Sequence, residues 1–225
     1  MLTIATVYAL MNGLDYATVY RQLGRAYPHA GYGGSFINWL KSDEASPYNS
    51  WGNASAMRIS PVGFALGSMQ KVLREAEKSA AVTHNHPEGI KGAQATALAV
   101  FMARQGKSKA DIRREISDKF DYNLNRNIDE IRPNYFFDIS CQGSVPEAMI
   151  AFPHSDDVES AIRLAVSLNG DSDTQACIAG AIAHAYFTEI PQEIEKEVRS
   201  RLPHNFLIVL DEFLKKYMHA NDIRP

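Results

Sequence analysis

Residues that typically begin and end helices recur along almost the whole of this chain, while the alternation of apolar and polar residues typical of strands is nearly absent. Apolar residues repeat at helical spacing, with Ser or Asp before many of the runs and Gly after them. The expected helices are Leu2–Met11, a run from a cap at Asp15 to Leu23, runs opening at Ser68, Pro87, Ser108 and Ser155, Gln175–Phe187 and Asn205–Tyr217. The sequence therefore predicts an all-α fold, an orthogonal helical bundle forming one domain over residues 1–225.

The composition of the chain argues against several classes of function. The 225 residues carry a net charge of −3 and no basic block, so neither a nucleic-acid partner nor a membrane surface is expected. No apolar run has the length of a membrane span, and the apolar start lacks the basic segment of a signal peptide. Cys141 and Cys177 are the two cysteines and lack metal-type spacing, which favours a soluble, cytoplasmic protein.

An acidic turn, Asn169-Gly-Asp-Ser-Asp-Thr174, stands between two helical runs. Asp171, Asp173 and Thr174 offer oxygen ligands at a density that suits a hard divalent cation such as Mg²⁺ or Mn²⁺. The alternative is a plain capping turn, in which Asp173 caps a helix beginning near Gln175. An EF-hand does not fit, because Ala176 and Ile182 stand where its loop needs Gly and Glu.

Two glycine-rich turns precede helical runs. The first, Tyr32-Gly-Gly-Ser-Phe36, could present free amide groups to a phosphate or could simply be a tight turn. The second, Trp51-Gly-Asn-Ala-Ser-Ala-Met-Arg58, would let a ligand approach the backbone closely. There Asn53 and Ser55 offer hydrogen bonds, and Arg58 could pair with either a structural carboxylate or a ligand.

Thr83-His-Asn-His86 places two imidazoles two residues apart, just ahead of a predicted helix. A zinc site would need further ligands, which do not follow at the usual spacing. We expect one histidine to line a pocket and the other to form a hydrogen bond within the fold.

Together these segments resemble the ADP-ribosylglycohydrolase family. The resemblance rests on residues 30–36, 52–58, 83–84, 142–146 and 169–174, which occur in the family's order and span nearly the whole chain. It implies the all-α fold of that family, a pair of Mg²⁺ or Mn²⁺ ions, and hydrolysis of the bond between ADP-ribose and a protein side chain or small conjugate.

The resemblance also assigns residues. Asp171 and Asp173 become the catalytic residues and, with Thr174, one half of a two-metal site. The substrate groove would be lined by Gly33, Gly34, Ser35, Gly52, Asn53, Ser55 and Met57, with His84 beside it. The sequence does not identify a general base. Asp43, Glu44 and Glu88 lie near these turns, and Ser50 stands where some relatives carry a carboxylate. A metal-bound water or a carboxylate ahead of this sequence are the alternatives.

The sequence departs from the family in two places. Ala54 replaces the second glycine of a Gly-Asn-Gly turn. In addition, relatives carry a Thr-Asp-Asp-Thr element ahead of a helix resembling Leu2–Met11, where this sequence starts. We therefore expect an N-terminally truncated domain with impaired activity, whose exposed apolar groove is covered in a homodimer. The alternative to a hydrolase is a non-catalytic module that binds ADP-ribose.

Overall fold

The computed structural model describes residues 1–218, and within that range it contains helices and no β-strand. The all-α prediction is therefore confirmed. The helices are α1 Leu2–Asn12, α2 Tyr16–Ala26, α3 Gly34–Leu40, α4 Ala54–Met57, α5 Ser60–Ala65, α6 Met69–Ala81, α7 Pro87–Arg104, α8 Lys109–Phe120, α9 Ile128–Ile131, α10 Cys141–Ala151, α11 Val158–Val166, α12 Ser172–Phe187, α13 Gln192–Arg201 and α14 His204–Tyr217. A 3-10 turn, Arg132–Asn134, follows α9.

Several helix boundaries fall where the sequence predicts them. Gly13 ends α1 in the left-handed conformation, with φ +63°, which an L side chain adopts only under strain. Asp15 accepts a hydrogen bond from the Thr18 amide at the start of α2. Ser68 and Ser108 cap α6 and α8 in the same way, through their side-chain oxygens.

Three boundary predictions are wrong, and each has a physical reason. Gly24 lies inside α2 rather than after it, because Leu40 of α3 packs where a side chain would stand. Ser155 does not cap α11; Asp157 does, accepting a hydrogen bond from the Ser160 amide. Helix α12 begins at Ser172, so Asp173 lies in its first turn rather than at its cap. Helix α13 was not predicted, since its charged sequence has no buried residue.

Helix α7 is the centre of the main hydrophobic cluster. It packs against α4, α5, α6, α8, α10 and α12. Small side chains allow this close approach: eleven of its positions are buried, and most of those are Ala or Gly. The small-residue run of α12 plays a similar part, with Gly180 facing Ile162 of α11.

A second cluster joins α1, α2 and α3 through residues such as Tyr20, Phe36 and Trp39. Tyr32 and Tyr48 pack against its edge. Tyr48 also contacts the ring of His84, at 6.0 Å between ring centroids. This cluster therefore connects the first glycine-rich turn to the histidine segment. Among the residues described, no helix is both long enough and apolar enough to cross a membrane.

Candidate functional site

The Gly52 turn is fixed to the start of α10 by backbone contacts. Gly52 and Ser140 form an isolated antiparallel bridge. On either side, the Asn53 amide donates to the Ile139 carbonyl (2.8 Å) and the Cys141 amide donates to the Trp51 carbonyl (2.8 Å). A Cβ on Gly52 would lie 3.2 Å from Ser50 Oγ and 3.5 Å from His84 Nε2. Glycine thus allows three chain segments to meet at this point.

Asn53 connects this turn to the acidic turn. Its side chain is buried, and Nδ2 donates to Ser144 Oγ (3.0 Å) and to Asp171 Oδ2 (2.7 Å). One amide group therefore joins α4, α10 and the start of α12. A hydrogen bond to a carboxylate is stronger than one between neutral groups, so Asn53 fixes the orientation of Asp171.

The acidic turn brings the three predicted ligands together. Asp173 and Thr174 lie in the first turn of α12, directly after Asp171, and both side chains influence the pKa of its carboxyl group. Burial raises the pKa of Asp171, the Asn53 hydrogen bond lowers it, and the neighbouring Asp173 raises it again. Asp171 is half-buried and Asp173 is exposed. Neighbouring carboxylates repel each other, and a bound cation relieves that repulsion.

Gly170 and Thr174 lie beside the carboxylate pair of Asp171 and Asp173. A Cβ on Gly170 would lie 2.3 Å from Cε1 of Tyr135, whose hydroxyl donates to the Gly143 carbonyl (2.8 Å). The Thr174 hydroxyl is buried and makes only a long contact with Met57 Sδ, at 3.5 Å. Within residues 1–218, no three His, Cys, Asp or Glu side chains form a metal cluster. The donor set here is two carboxylates and a hydroxyl, all oxygen, which fits a hard divalent cation.

Ser55 and Met57 hold the neighbouring helices together. The Ser55 hydroxyl is fully buried and donates to the Gly89 carbonyl in the first turn of α7 (2.8 Å). The Met57 carbonyl accepts a hydrogen bond from the Cys177 thiol of α12 (3.3 Å). Ser55 therefore connects the Gly52 turn to α7, while Met57 lies beside the acidic turn, and the polar atoms of both residues already have partners.

The two histidines of the segment 83–86 have separate roles. His84 is buried against the Gly52 turn, and its Nδ1 lies 2.7 Å from Thr83 Oγ1. Burial, assisted by the charge of Arg58, lowers the pKa of His84 to about 2. His86 caps α7 by accepting a hydrogen bond from the Glu88 amide, and its ring meets the edge of Trp51.

The first glycine-rich turn lies apart from these contacts. Gly33, Gly34 and Ser35 are exposed, and a Cβ on either glycine would meet nothing within 4 Å. Gly33 precedes α3 without a side-chain cap, which leaves the first amides of the helix unpaired. Within residues 1–218, no hydrogen bond joins this turn to Asn53 or Asp171.

The candidate bases occupy different settings. Asp43 is largely exposed and pairs with Arg25 (2.7 Å), and Glu44 is exposed as well. Ser50 Oγ accepts a hydrogen bond from the Gly52 amide. Glu88 lies in the first turn of α7, with a weak ion pair to Lys91 and one buried oxygen that has no hydrogen-bond partner within the described chain.

Sequence reasoning missed the segment just before α10. Phe136, Phe137 and Ile139 are strongly exposed (77%, 69% and 59%). Trp51, 52% exposed, lies beside them, because its carbonyl bonds to Cys141. Four large apolar side chains in water at one junction are unusual and indicate a contact surface. The sequence did contain a signal for this segment, namely an aromatic run without helical spacing directly before a serine cap.

Comparisons with known proteins point to one family. The sequence profile of the ADP-ribosylglycohydrolase family matches residues 1–220. ADP-ribosylhydrolase ARH3 of Gallus gallus is 28% identical over 237 aligned residues, covering 78% of this chain and 64% of the relative. ARH3 of Homo sapiens is 27% identical, with 77% and 64% covered. The chain thus spans just under two thirds of the length of these relatives.

A solved structure supports the fold. A chain of an ADP-ribosylglycohydrolase-related protein complex superimposes with a TM-score of 0.74 and 22% sequence identity. The match covers 96% of this chain and 79% of that one.

Proposed function

This chain belongs to the ADP-ribosylglycohydrolase family, and from that premise we propose that it binds ADP-ribose conjugates and hydrolyses the bond at ribose C1. The observation that carries the proposal is Asn53, whose one amide group joins the Gly52 turn, α10 and Asp171. These are three of the segments on which the family resemblance rests. Contacts between distant segments of this kind position polar groups for a ligand.

Asp171, Asp173 and Thr174 would hold a Mg²⁺ or Mn²⁺ ion, and their all-oxygen chemistry fits that role. Such an ion, when bound, supplies positive charge that acidifies water and orients sugar hydroxyls. The family resemblance implies two ions and further ligands ahead of α1.

The residues of the chain account for the other requirements of the reaction. In the hydrolysis, a water oxygen bonds to C1, the bond from C1 to the leaving atom breaks, and a proton passes to the leaving group. Positive charge develops on the ribose ring on the way. The carboxylates of Asp171 and Asp173 stabilise that charge, and the hydrogen bond from Asn53 keeps Asp171 turned towards it.

The remaining parts of ADP-ribose have suitable surfaces nearby. The diphosphate would lie over the Gly52 turn beside His84, where no side chain on Gly52 obstructs it. The amides of Gly33, Gly34 and Ser35 would provide further contacts from the open turn. The exposed rings of Trp51, Phe136 and Phe137 would stack against adenine.

A second candidate function is a non-catalytic ADP-ribose-binding module. The observation in its favour is that the described residues form no cluster of three or more acidic, histidine or cysteine ligands. Such a module would keep the turn, the aromatic rim and His84, but would release no ADP-ribose.

The test is the release of free ADP-ribose from proteins modified on arginine or on serine, assayed with Mg²⁺, with Mn²⁺ and with EDTA. We expect release that requires the metal and falls at least about 100-fold in Asp171→Asn. Asp211→Asn is the matched control, since it removes a surface carboxylate that pairs with Arg199 and has no assigned role in the site.

Release that survives both EDTA and Asp171→Asn would contradict the proposed use of the acidic turn. Binding of ADP-ribose without release from either substrate would support the binding module instead. Neither binding nor release would reject both functions.

A further inference from the structure

Arg58 is the largest fully buried side chain of the described structure, and its charge has no acidic partner there. Its relative exposure is 0%, and no carboxylate among residues 1–218 forms an ion pair with it. Nη2 donates to the Ser79 carbonyl (3.2 Å) and to Thr83 Oγ1 (3.0 Å), while Nε and Nη1 have no partner. The guanidinium also lies over the ring of Tyr20, at 4.6 Å. Burying a charge in this way is costly, so a role for it is expected.

The hydrogen bond from Arg58 determines how the Thr83 hydroxyl can bond to its other neighbour. A guanidinium carries only donors, so Thr83 Oγ1 must accept from Arg58. The other hydrogen-bond contact of Thr83 Oγ1 among residues 1–218 is with Nδ1 of His84. The one hydrogen of the Thr83 hydroxyl then points to Nδ1 of His84, at 2.7 Å.

A hydroxyl that donates to Nδ1 determines where His84 carries its own proton. The imidazole is neutral, because burial and the charge of Arg58 both hold its pKa far below the usual value. A neutral imidazole that accepts at Nδ1 carries its hydrogen on Nε2. Nε2 faces the Gly52 turn, 3.5 Å from where a Cβ of that residue would stand, and has no hydrogen bond within residues 1–218.

We propose that Arg58 and Thr83 are positioning residues that lock His84 in the Nε2–H tautomer, so that His84 donates a hydrogen bond to an anionic ligand oxygen over the Gly52 turn. The assignment of that oxygen to the diphosphate of ADP-ribose rests on the proposed function. Arg58 cannot reach the ligand itself, since it is fully buried; it acts through Thr83 and through its charge.

The tautomer can be measured directly by long-range ¹H–¹⁵N correlation NMR of the ¹⁵N-histidine-labelled, ligand-free protein. The His84 signals are those that His84→Gln removes. We expect the Nε2–H pattern in the wild type and in Thr83→Ser, and its loss in Thr83→Val, which keeps the shape but removes the hydroxyl. ADP-ribose affinity, measured by calorimetry, should fall about tenfold in Thr83→Val and return in Thr83→Ser.

An Nδ1–H pattern in the wild type would overturn the proposal without any variant, because Thr83 would then accept from His84. An unchanged pattern and affinity in Thr83→Val would overturn it as well. If the wild type shows the Nε2–H pattern but does not bind ADP-ribose, the proposed function and the ligand role of His84 fail together, while the Arg58–Thr83 relay stands.

Discussion

The two glycine-rich turns have similar sequences and opposite environments. Gly52 lies where three segments meet, with Ser50 Oγ and His84 Nε2 close to the place of its missing side chain. Gly33 and Gly34 border open space, and the amides that follow them have no side-chain cap. Glycine at the Gly52 turn permits close packing, whereas glycine at positions 33 and 34 leaves backbone amides accessible. Changes at the Gly52 turn should therefore affect both stability and activity, and changes at Gly33 and Gly34 should affect binding alone.

The largest effect is expected for Asn53→Ala, which removes two hydrogen bonds at the buried junction and frees Asp171. ADP-ribose release should fall at least about 100-fold, by analogy with loss of a preorganised donor. The free energy of unfolding should fall by about 1–3 kcal/mol, because Ser144 loses a partner in a buried place. Release assays and urea unfolding measure the two effects.

Asn205→Ala is the control for that change, since Asn205 is exposed and, within residues 1–218, its side chain bonds only to the Tyr27 hydroxyl. Its activity and stability should match the wild type. Equal activity of Asn53→Ala and Asn205→Ala would show that the junction does not form the site.

The next largest effect, a loss of stability, is expected for Gly89→Ala, on the α7 side of the Gly52 turn. The new Cβ would lie 2.6 Å from the Ser50 carbonyl oxygen and 2.9 Å from that of His84. Both are backbone atoms that cannot swing away, so the unfolding free energy should fall by about 1–3 kcal/mol. Thermal unfolding should show this, with Gly67→Ala as the neutral control because nothing lies within 4 Å of its Cβ position.

Acidification should weaken the fold through His84. Its folded pKa, lowered to about 2 by burial and Arg58, lies below the unfolded value of 6.5. The unfolded chain therefore binds the extra proton first, so this stability is complete above pH 6.5 and is lost as the pH falls below it. The loss approaches about 1.4 kcal/mol per pH unit for one such group. His184, whose pKa is also lowered by burial, adds to it.

Urea unfolding between pH 7.5 and 5 measures this dependence. Asp171 acts in the opposite sense, because burial raises its pKa, so the informative quantity is the slope of the wild type minus that of His84→Gln. The exposed His29→Gln variant should keep the wild-type slope. A slope unchanged in His84→Gln would contradict the buried, neutral state of His84.

The smallest effect on stability is expected for the double change Gly33→Ala and Gly34→Ala. The methyl groups would point into open space, so the unfolding free energy should stay within about 0.5 kcal/mol of the wild type. ADP-ribose affinity should fall a few-fold, because the methyl groups shield the first amides of α3. A loss of stability without a loss of affinity would reverse the comparison between the two turns.

The sequence predicts those parts of the molecule that depend on local chemistry. Gly13, Asp15 and Ser68 end or begin helices as their conformational preferences require. The start of α12 was wrong by three residues, because Asp and Thr suit a cap and a first helical turn almost equally. The prediction that α2 ends before Gly24 was wrong because the residue that requires a glycine there, Leu40, lies in another helix.

The candidate site shows the same limit. The residue types of the acidic turn indicate cation chemistry, and the structure brings Asp171, Asp173 and Thr174 together. The partner of Asp171 could not be predicted, because Asn53 lies 118 residues earlier in the chain. The burial of Arg58 without an acidic partner among residues 1–218 was equally unpredictable, since it depends on which side chains surround it in three dimensions.

The most direct test of the account is a crystal structure of the protein with ADP-ribose and Mg²⁺. The account predicts the ribose beside Asp171 and Asn53, the diphosphate over Gly52 within hydrogen-bonding distance of His84 Nε2, and adenine against Trp51, Phe136 or Phe137. ADP-ribose bound elsewhere, such as in the cavity of about 490 Å³ beside Gly13 and Tyr16, would contradict it, as would an empty junction at saturating ligand.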